Sequence, residues 1–232
     1  MKKSIKKLFI LFYNFLIAKK LWNHINSLKI IAWFISKKVL LNGRKFLFID
    51  CGSNLGQGFN FFKKYFKTDI FDYILIEPNP NCLEQLKKIT NDKILLIGKG
   101  VWKSKTILKF YGISETKNKT TLGGSLIDNH NSLWYKSNKN EATEIETISL
   151  SELILEKKDK YDTIVIKMDI ESSEYEVLRS LLTNNSIEYI KHIFVEFHSQ
   201  YFSHNEQNKY LKLENELVDE IRSRNVGLTK WI

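Results

Sequence analysis

With only two cysteines in 232 residues, Cys51 and Cys82, the chain cannot build a disulfide framework, and it lacks the paired spacing of a zinc site. Both are expected as buried thiols in a reducing, cytoplasmic compartment. The chain has only two prolines, Pro78 and Pro80. Both fall in EPNP, where they end a strand and hold the following turn extended. The apolar run from Leu8 to Ala18, broken by Asn14, is far short of the ~20 residues that span a bilayer. No small-x-small cleavage site follows it, which argues against a secretory signal. The glycine fingerprint G-x-G-x-x-G of dinucleotide folds is also missing.

One further absence divides the chain. Residues 1–45 contain eleven basic side chains and no acid, a charge of +11, while residues 46–232 sum to −1. The overall +10 is therefore no nucleic-acid footprint spread over a fold, and RNA or DNA is not an expected partner. Residues 1–45 are a separate unit, a basic and apolar-rich helical extension. Its stretches around Leu8–Ala18 and LKIIAWFISKKVLL (28–41) are flanked by lysines. Two readings stand: helices lying on an anionic membrane surface, each lysine contributing about 1 kcal/mol there, or a helical cap over the domain's own apolar surface.

At 43% hydrophobic and 13% aromatic, the chain as a whole has a globular composition, and residues 46–232 are expected to form one α/β domain. KFLFID (45–50), FDYILIE (71–77), DKILLIG (92–98), YDTIVIKMD (161–169) and KHIFVEF (191–197) are continuous apolar runs of strand length. Such runs mark strands buried on both faces. Helical spacing lies between them at 56–67, 81–90, 172–183 and 206–224. The alternation predicts a mostly parallel sheet with helices on both faces. Segment 112–143 is polar and reads as a long excursion of the kind that covers a site.

Ligands of such sheets bind beyond the carboxyl ends of the strands. Those ends carry Asp50, Glu77, Asp169 with Glu171, and Glu196 with His198. In DCGSNLG, Gly52 and Gly56 permit a tight turn and close backbone approach to a ligand. Glu77, 21 residues beyond Gly56, is placed to accept the hydroxyls of an adenosine ribose. A carboxylate at the first turn would repel a pyrophosphate and attract the cationic ammonium and sulfonium of S-adenosyl-L-methionine. A helix-capping role for Asp50 explains that residue singly, but not its placement with Glu77.

FIDCGSNLG resembles the D-(I/V)-G-A-N-x-G of FkbM-type methyltransferases, LIEPNPNCLEQL their E-P-N-P segment, and IKMDIESSEYEVLRSL their K-x-D-(I/V)-E-G-x-E-Y-x-V-L block. ETISLSELI and IFVEFHS fall in the same order, so the likeness covers about residues 46–200. It implies a Rossmann-like class I methyltransferase fold. It also implies methyl transfer from S-adenosyl-L-methionine, usually to a hydroxyl of a sugar, glycan or other natural product. Cofactor contacts carried over are Asp50, Gly52, Asn54, Gly56, Glu77 and Asp169. Ser172 departs from the pattern, standing where the family prefers glycine, so its Cβ either crowds the turn or its hydroxyl adds a contact. The seven residues after the last helix allow one terminal strand.

Transfer to a hydroxyl requires alignment, desolvation and a destination for the proton, for which Asp169, Glu171 and His198 are the candidates. The resemblance places Asp169 nearest the chemistry. His198 has the natural pKa of a base, yet a histidine after a strand often serves as a structural donor. Asp169, Glu171, Glu196 and His198 could instead gather a divalent metal, which nothing in their spacing demands. Lys167 is expected to snorkel or to pair with an acid, Glu174 to sit on the following helix, and Asn54 to touch the cofactor or hold the turn. Tyr73, Trp102 and Tyr111 are expected in the core or beside an adenine. Two further function classes stay open: a catalytically idle methyltransferase fold acting as a membrane or nucleic-acid adaptor, and a nicotinamide-dependent oxidoreductase if Asp50 points away from the ligand.

Overall fold

The computed structural model describes residues 24–41, 43–112, 123–131 and 142–231. The Leu8–Ala18 stretch and much of the 112–143 excursion lie outside these residues. The main sheet contains β1 (Phe46–Cys51), β2 (Phe71–Ile76), β3 (Ile94–Ile97), β7 (Thr163–Met168), β8 (Ile190–Val195) and β9 (Gly227–Lys230). Its order is β3-β2-β1-β7-β8-β9, and every neighbouring pair is parallel. The expected parallel α/β sheet is present, with the single terminal strand β9 at its edge.

Successive side chains of a strand point to opposite faces, and here each face has its own core. Leu47, Ile49 and Cys51 of β1, with Ile164, Ile166 and Met168 of β7, pack against the helices Leu150–Lys157, Glu174–Thr183 and His204–Ser223. Phe46 and Phe48, with Tyr73, Leu75, Val165 and Phe194, meet the helices Gln57–Phe62 and Pro80–Lys87. This second core is largely aromatic, with Phe48 within 5.2 Å of Phe62, Phe66 and Tyr73.

Residues 24–40 are helical, and their inward stripe joins the aromatic core: Ala32 and Val39 are buried in it, with Ile31, Ile35 and Leu40 packed alongside. The capping reading therefore describes this face of residues 28–41. Ile30, Trp33, Phe34 and Leu41 are exposed. Among the described residues no helix is long and apolar enough to cross a membrane.

A second, three-stranded sheet was not expected. β4 (Gly100–Trp102), β5 (Ile107–Phe110) and β6 (Thr143–Ser149) pair in the order β4-β6-β5, β4 parallel and β5 antiparallel to β6. β6 leads into the helix Leu150–Lys157, whose N-cap is Ser149 accepting from the Glu152 amide.

At the β8–β9 edge, His192 pairs with Gly227, where a Cβ would stand 2.2 Å from its Nδ1, so glycine is required for space. Burial, reinforced by Lys38, pushes the imidazole down to about 4. The folded protein then binds fewer protons than the unfolded chain between roughly pH 6.5 and 4, so stability is lost as pH falls through that window. His192 alone is expected to remove about 2 kcal/mol by pH 5, at 1.36 kcal/mol per unit. Thermal unfolding at pH 5 and pH 7.5 checks this: His192→Gln should lose much less on acidification than the wild type, and equal losses would refute the assignment.

Candidate functional site

Sheet order reverses between β1 and β7, and a cavity of about 910 Å³, counted to its open mouth, lies at their carboxyl ends. One wall is the turn after β1. Gly52 has φ +75°, and a Cβ there would lie 1.8 Å from the Asp169 carbonyl oxygen, so only glycine lets β1 and β7 close at this point. The Gly52 and Ser53 amides both donate to Ile76 O, at 3.0 and 3.1 Å, anchoring the turn to β2.

Glu77 follows β2 directly and forms the facing wall. Its carboxylate accepts from the Asn54 amide (Oε2, 2.8 Å) and the Asn79 amide (Oε1, 2.8 Å). Burial still pushes it up to about 7, those two amides pulling the other way. The rest of EPNP builds a helix start: the Asn79 side chain caps Asn81 N, and Pro80 stands at the first helical position. The Asn54 side chain holds its own turn, accepting from Leu55 N at 2.7 Å, and the residue also lines the cavity.

Alternation along the strands places the charged groups. Asp50 continues the face of Phe46 and Phe48, and lies directly beside Lys167 in register. It is fully buried and does not line the cavity, contrary to the expectation that its charge faces a ligand. A Cβ on Gly58 would come within 3.3 Å of both its oxygens, so a larger residue there would press on the carboxylate. Lys167 Nζ sits 3.2 Å from Asp50 Oδ1 and 3.4 Å from Asp169 Oδ2, and donates to Gly52 O at 2.7 Å. Burial raises the Asp50 carboxyl, and it opposes the Lys167 charge too, but the two carboxylates outweigh it and raise the lysine. These shifts pull the pair in opposite senses; an ammonium with two carboxylates and a carbonyl in its shell favours the ionised pair. Gly56, φ +91°, faces Asn60, Ile89 and Leu86 rather than the cavity, and starts the helix.

Of the sequence-derived set, Gly52, Asn54, Glu77, Asp169 and Glu171 line one cavity, while Asp50, Gly56 and His198 do not. His198 lies behind Asp169 and Glu171, buried, with Nε2 3.6 Å from Asp169 Oδ1 and 3.5 Å from Glu171 Oε2. Its backbone amide and Nδ1 both meet Glu174 Oε1, at 2.9 and 3.2 Å. Glu174 opens its helix as expected, but is buried beneath the site. Burial opposes the imidazolium, yet Glu174, Glu171 and Asp169 raise His198 to about 10; burial and Asp169 raise Glu196 to about 8.

Sequence reasoning missed His130, Ser125 and Gly123, which sit in no motif and at no end of the main-sheet strands, and Trp231, which follows the edge strand β9 and carries no charge. Residues 123–131 close over the turn after β7. Gly123 N donates to Glu171 Oε1 at 3.2 Å, Ser125 Oγ to Glu171 O, and His130 Nε2 stands 3.1 Å from Glu171 Oε2. Trp231 lines the cavity and packs on Phe61 and Phe62. Tyr73 and Tyr111 are buried outside the lining, and Trp102 is half-buried.

Ser172 takes φ +77°, next to Glu171 at φ +50°, and its Oγ is 2.8 Å from His130 Nδ1. The departure from glycine thus adds a hydroxyl contact at the cost of a left-handed serine, ~1–2 kcal/mol. Ser172→Ala keeps that strain and strips His130 of its partner, an expected loss of about 1–3 kcal/mol. Ser172→Gly loses the contact but relieves the strain, and should unfold nearer to wild type. Denaturant unfolding of both checks the order; an alanine variant as stable as wild type would overturn it.

Comparison with known proteins bears on these residues. The family model described as Methyltransferase FkbM domain matches residues 50–224. A crystal structure of methyltransferase FkbM from Methylobacillus flagellatus KT aligns at 17% identity with a TM-score of 0.46, over 76% of this chain and 37% of that one. The chain thus spans little more than a third of that protein. None of the curated proteins matches. The matched span runs from the buried Asp50 through the glycine turn, Glu77, Asp169, Glu171 and His198 into the last long helix, and the chain belongs to the FkbM methyltransferase domain family.

Proposed function

We propose that this chain is an S-adenosyl-L-methionine-dependent O-methyltransferase acting on a hydroxyl of a sugar, glycan or related natural product. The observation that carries the reading is the pair of carboxylates, Glu77 and Asp169, on the walls of a cavity whose only lining ammonium, among the described residues, is already held by Asp50 and Asp169. Such a lining favours ribose hydroxyls and a cation over a pyrophosphate. Val101, Phe110 and Leu126 supply apolar surface for a base. When bound, the cofactor supplies a methyl group on positively charged sulfur, already activated for displacement.

The chain's own residues then have defined work. Glu77 accepts ribose hydroxyls with the lone pairs its two amides leave over. Asp169, partly open to the cavity, takes the proton of the acceptor hydroxyl as the oxygen gains its methyl group. Glu171 and the 123–131 segment narrow the opening and exclude water. Because Glu77 is raised to about 7 and must be ionised to accept two hydroxyl donors, cofactor affinity should fall with pH below that point, by at most about tenfold per unit. Calorimetric titration with S-adenosylhomocysteine at pH 6 and pH 8 tests this: binding is tighter at pH 8, and Glu77→Gln weakens binding and abolishes the difference. Binding of NAD in its place would favour the oxidoreductase reading, and binding of neither would favour the idle fold.

An anionic membrane surface is the partner we propose for the outward stripe of the helical residues 24–40. Ile30, Trp33 and Phe34 lie exposed on it one helical turn apart, beside the exposed Lys29 and Lys37, and the first 45 residues carry no acid. The buried stripe already holds this helix to the domain, so a Trp33→Ser, Phe34→Ser double variant leaves the core intact. Sedimentation with phosphatidylserine vesicles should drop several-fold in that variant, with little sedimentation of either protein on pure phosphatidylcholine. Equal sedimentation of variant and wild type would exclude this face as the docking surface.

A further inference from the structure

Behind the cavity wall, the ends of β7 and β8 bring together a second constellation. Alternation continues from Lys167 to Asp169 and from Phe194 to Glu196 and His198, putting all three acceptors on one face at one sheet edge. Single ligand atoms of Asp169, Glu196 and His198 all lie within 4.8 Å of one another. His198 Nε2 stands 3.6 Å from Asp169 Oδ1, 3.7 Å from Glu196 Oε1 and 3.5 Å from Glu171 Oε2. These separations are too long for hydrogen bonds, which for nitrogen and oxygen fall at about 2.7–3.2 Å. They lie within a few tenths of an ångström of the spacing between ligands in a tetrahedral site, about 3.4 Å for metal bonds of about 2.1 Å.

The orientation of His198 is a separate observation. The ring is 98% buried by its side chain's 2% exposure, and Glu174 Oε1 faces Nδ1 at 3.2 Å while also fixing the backbone amide of the same residue. A carboxylate can only accept, so Nδ1 carries a proton, and Nε2 turns toward the carboxylates, where a bound cation would take the place of the second proton. A histidine held by a carboxylate on one nitrogen and presenting the other to oxygen ligands is the arrangement metal-binding histidines adopt. Stacking on Tyr201, at 5.6 Å between centroids, locks the ring plane. Asp169 and Glu196 keep 28% and 25% of their side-chain surface exposed, which leaves an entry path.

We propose that Asp169, Glu196 and His198 form a site for one divalent first-row cation, with Glu171 alongside and Glu174 orienting the histidine. One imidazole and two carboxylates make a ligand set of intermediate hardness, suited to Mn²⁺ or Zn²⁺. Asp169 belongs to both the site and the cavity wall, so the cation lies where it can polarise an acceptor hydroxyl. That role rests on the methyl-transfer reading; the binding site does not.

The test is titration of Mn²⁺ into the full chain, followed by loss of the free-ion paramagnetic resonance signal, with Zn²⁺ titrated by calorimetry in parallel. One ion per chain is expected. Glu196→Gln and Asp169→Asn should each weaken binding at least tenfold, Glu174→Gln should weaken it by about 10–100-fold as an orienting partner does, and the exposed Glu216→Gln on the last long helix should leave it unchanged. Thermal unfolding of each variant shows that it folds, and Glu196→Gln, at a partly exposed position, serves if Asp169→Asn does not. No stoichiometric binding of either ion, or wild-type binding by Glu196→Gln, overturns the site. Metal binding without binding of S-adenosylhomocysteine would leave the site standing and sink the methyl-transfer reading alone.

Discussion

A lysine ammonium with almost no access to water holds the two halves of this site together. Burying one charge costs several kcal/mol unless opposite charges and hydrogen bonds replace its water. Lys167 finds them in Asp50 on the neighbouring strand, Asp169 two residues on, and the carbonyl of Gly52. Each partner thereby gains a fixed position: β1 and β7 are locked at their carboxyl ends, the glycine turn is pinned by its own carbonyl, and Asp169 is presented at the cavity wall. Removing the ammonium would strand the fully buried Asp50 carboxylate, a loss of ~3–5 kcal/mol. Two glycines follow from the same contact. At position 58 a side chain would press on the Asp50 carboxylate, and at position 52 it would strike the Asp169 carbonyl.

This arrangement changes what the acid at the end of β1 is for. Read in one dimension, Asp50 looks aimed at a cationic ligand. In the folded chain its charge is spent on Lys167, and that leaves the cavity itself without a free ammonium among the described lining residues. The electrostatic case for a cationic, hydroxyl-bearing ligand therefore runs by a different route: Asp50 neutralises a lysine that would otherwise attract phosphate, while Glu77 and Asp169 face the opening. Beyond Asp169, the acids Glu171, Glu174 and Glu196 surround the single imidazole of His198, so this edge of the sheet demands positive charge whether from a proton or an ion.

The parallel sheet and its charged edge were legible because buried parallel strands leave continuous apolar runs, and because a period of two carries 46, 48 and 50, then 165, 167 and 169, then 194, 196 and 198 onto one face. The five runs correspond to β1, β2, β3, β7 and β8 within two residues at each end. What stayed hidden depends on pairing rather than on pattern. β4 has three residues, β5 has four, and β6 mixes polar with apolar residues without a strict alternation, so no period distinguishes them from loop. The N-terminal helix read equally as membrane-bound or capping because it has apolar residues on two faces, one buried in the aromatic core and one exposed. His130 and Trp231 reach the site only through tertiary contacts, which local spacing does not record. The ambiguity at Ser172 was visible as a departure from a motif, but its resolution needed His130, 42 residues away.

That last contact explains why a strained turn persists. Glu171 and Ser172 both adopt the left-handed region without being glycine, which a chain tolerates only where its surroundings over-determine the conformation. Here three residues of the returning segment do so: Gly123 and His130 hold the Glu171 carboxylate, Ser125 holds its carbonyl, and His130 holds the Ser172 hydroxyl. The same carboxylate faces the cavity and lies 3.5 Å from His198 Nε2. Order in the 123–131 segment and charge at the carboxyl edge of the sheet are thus coupled through one side chain. A ligand that draws on Glu171 must compete with the segment that covers it, and one that satisfies Asp169 instead leaves the cover in place. Glu171 is thereby committed to the covering segment, while Asp169 is held from the other side by Lys167 and keeps part of its surface open.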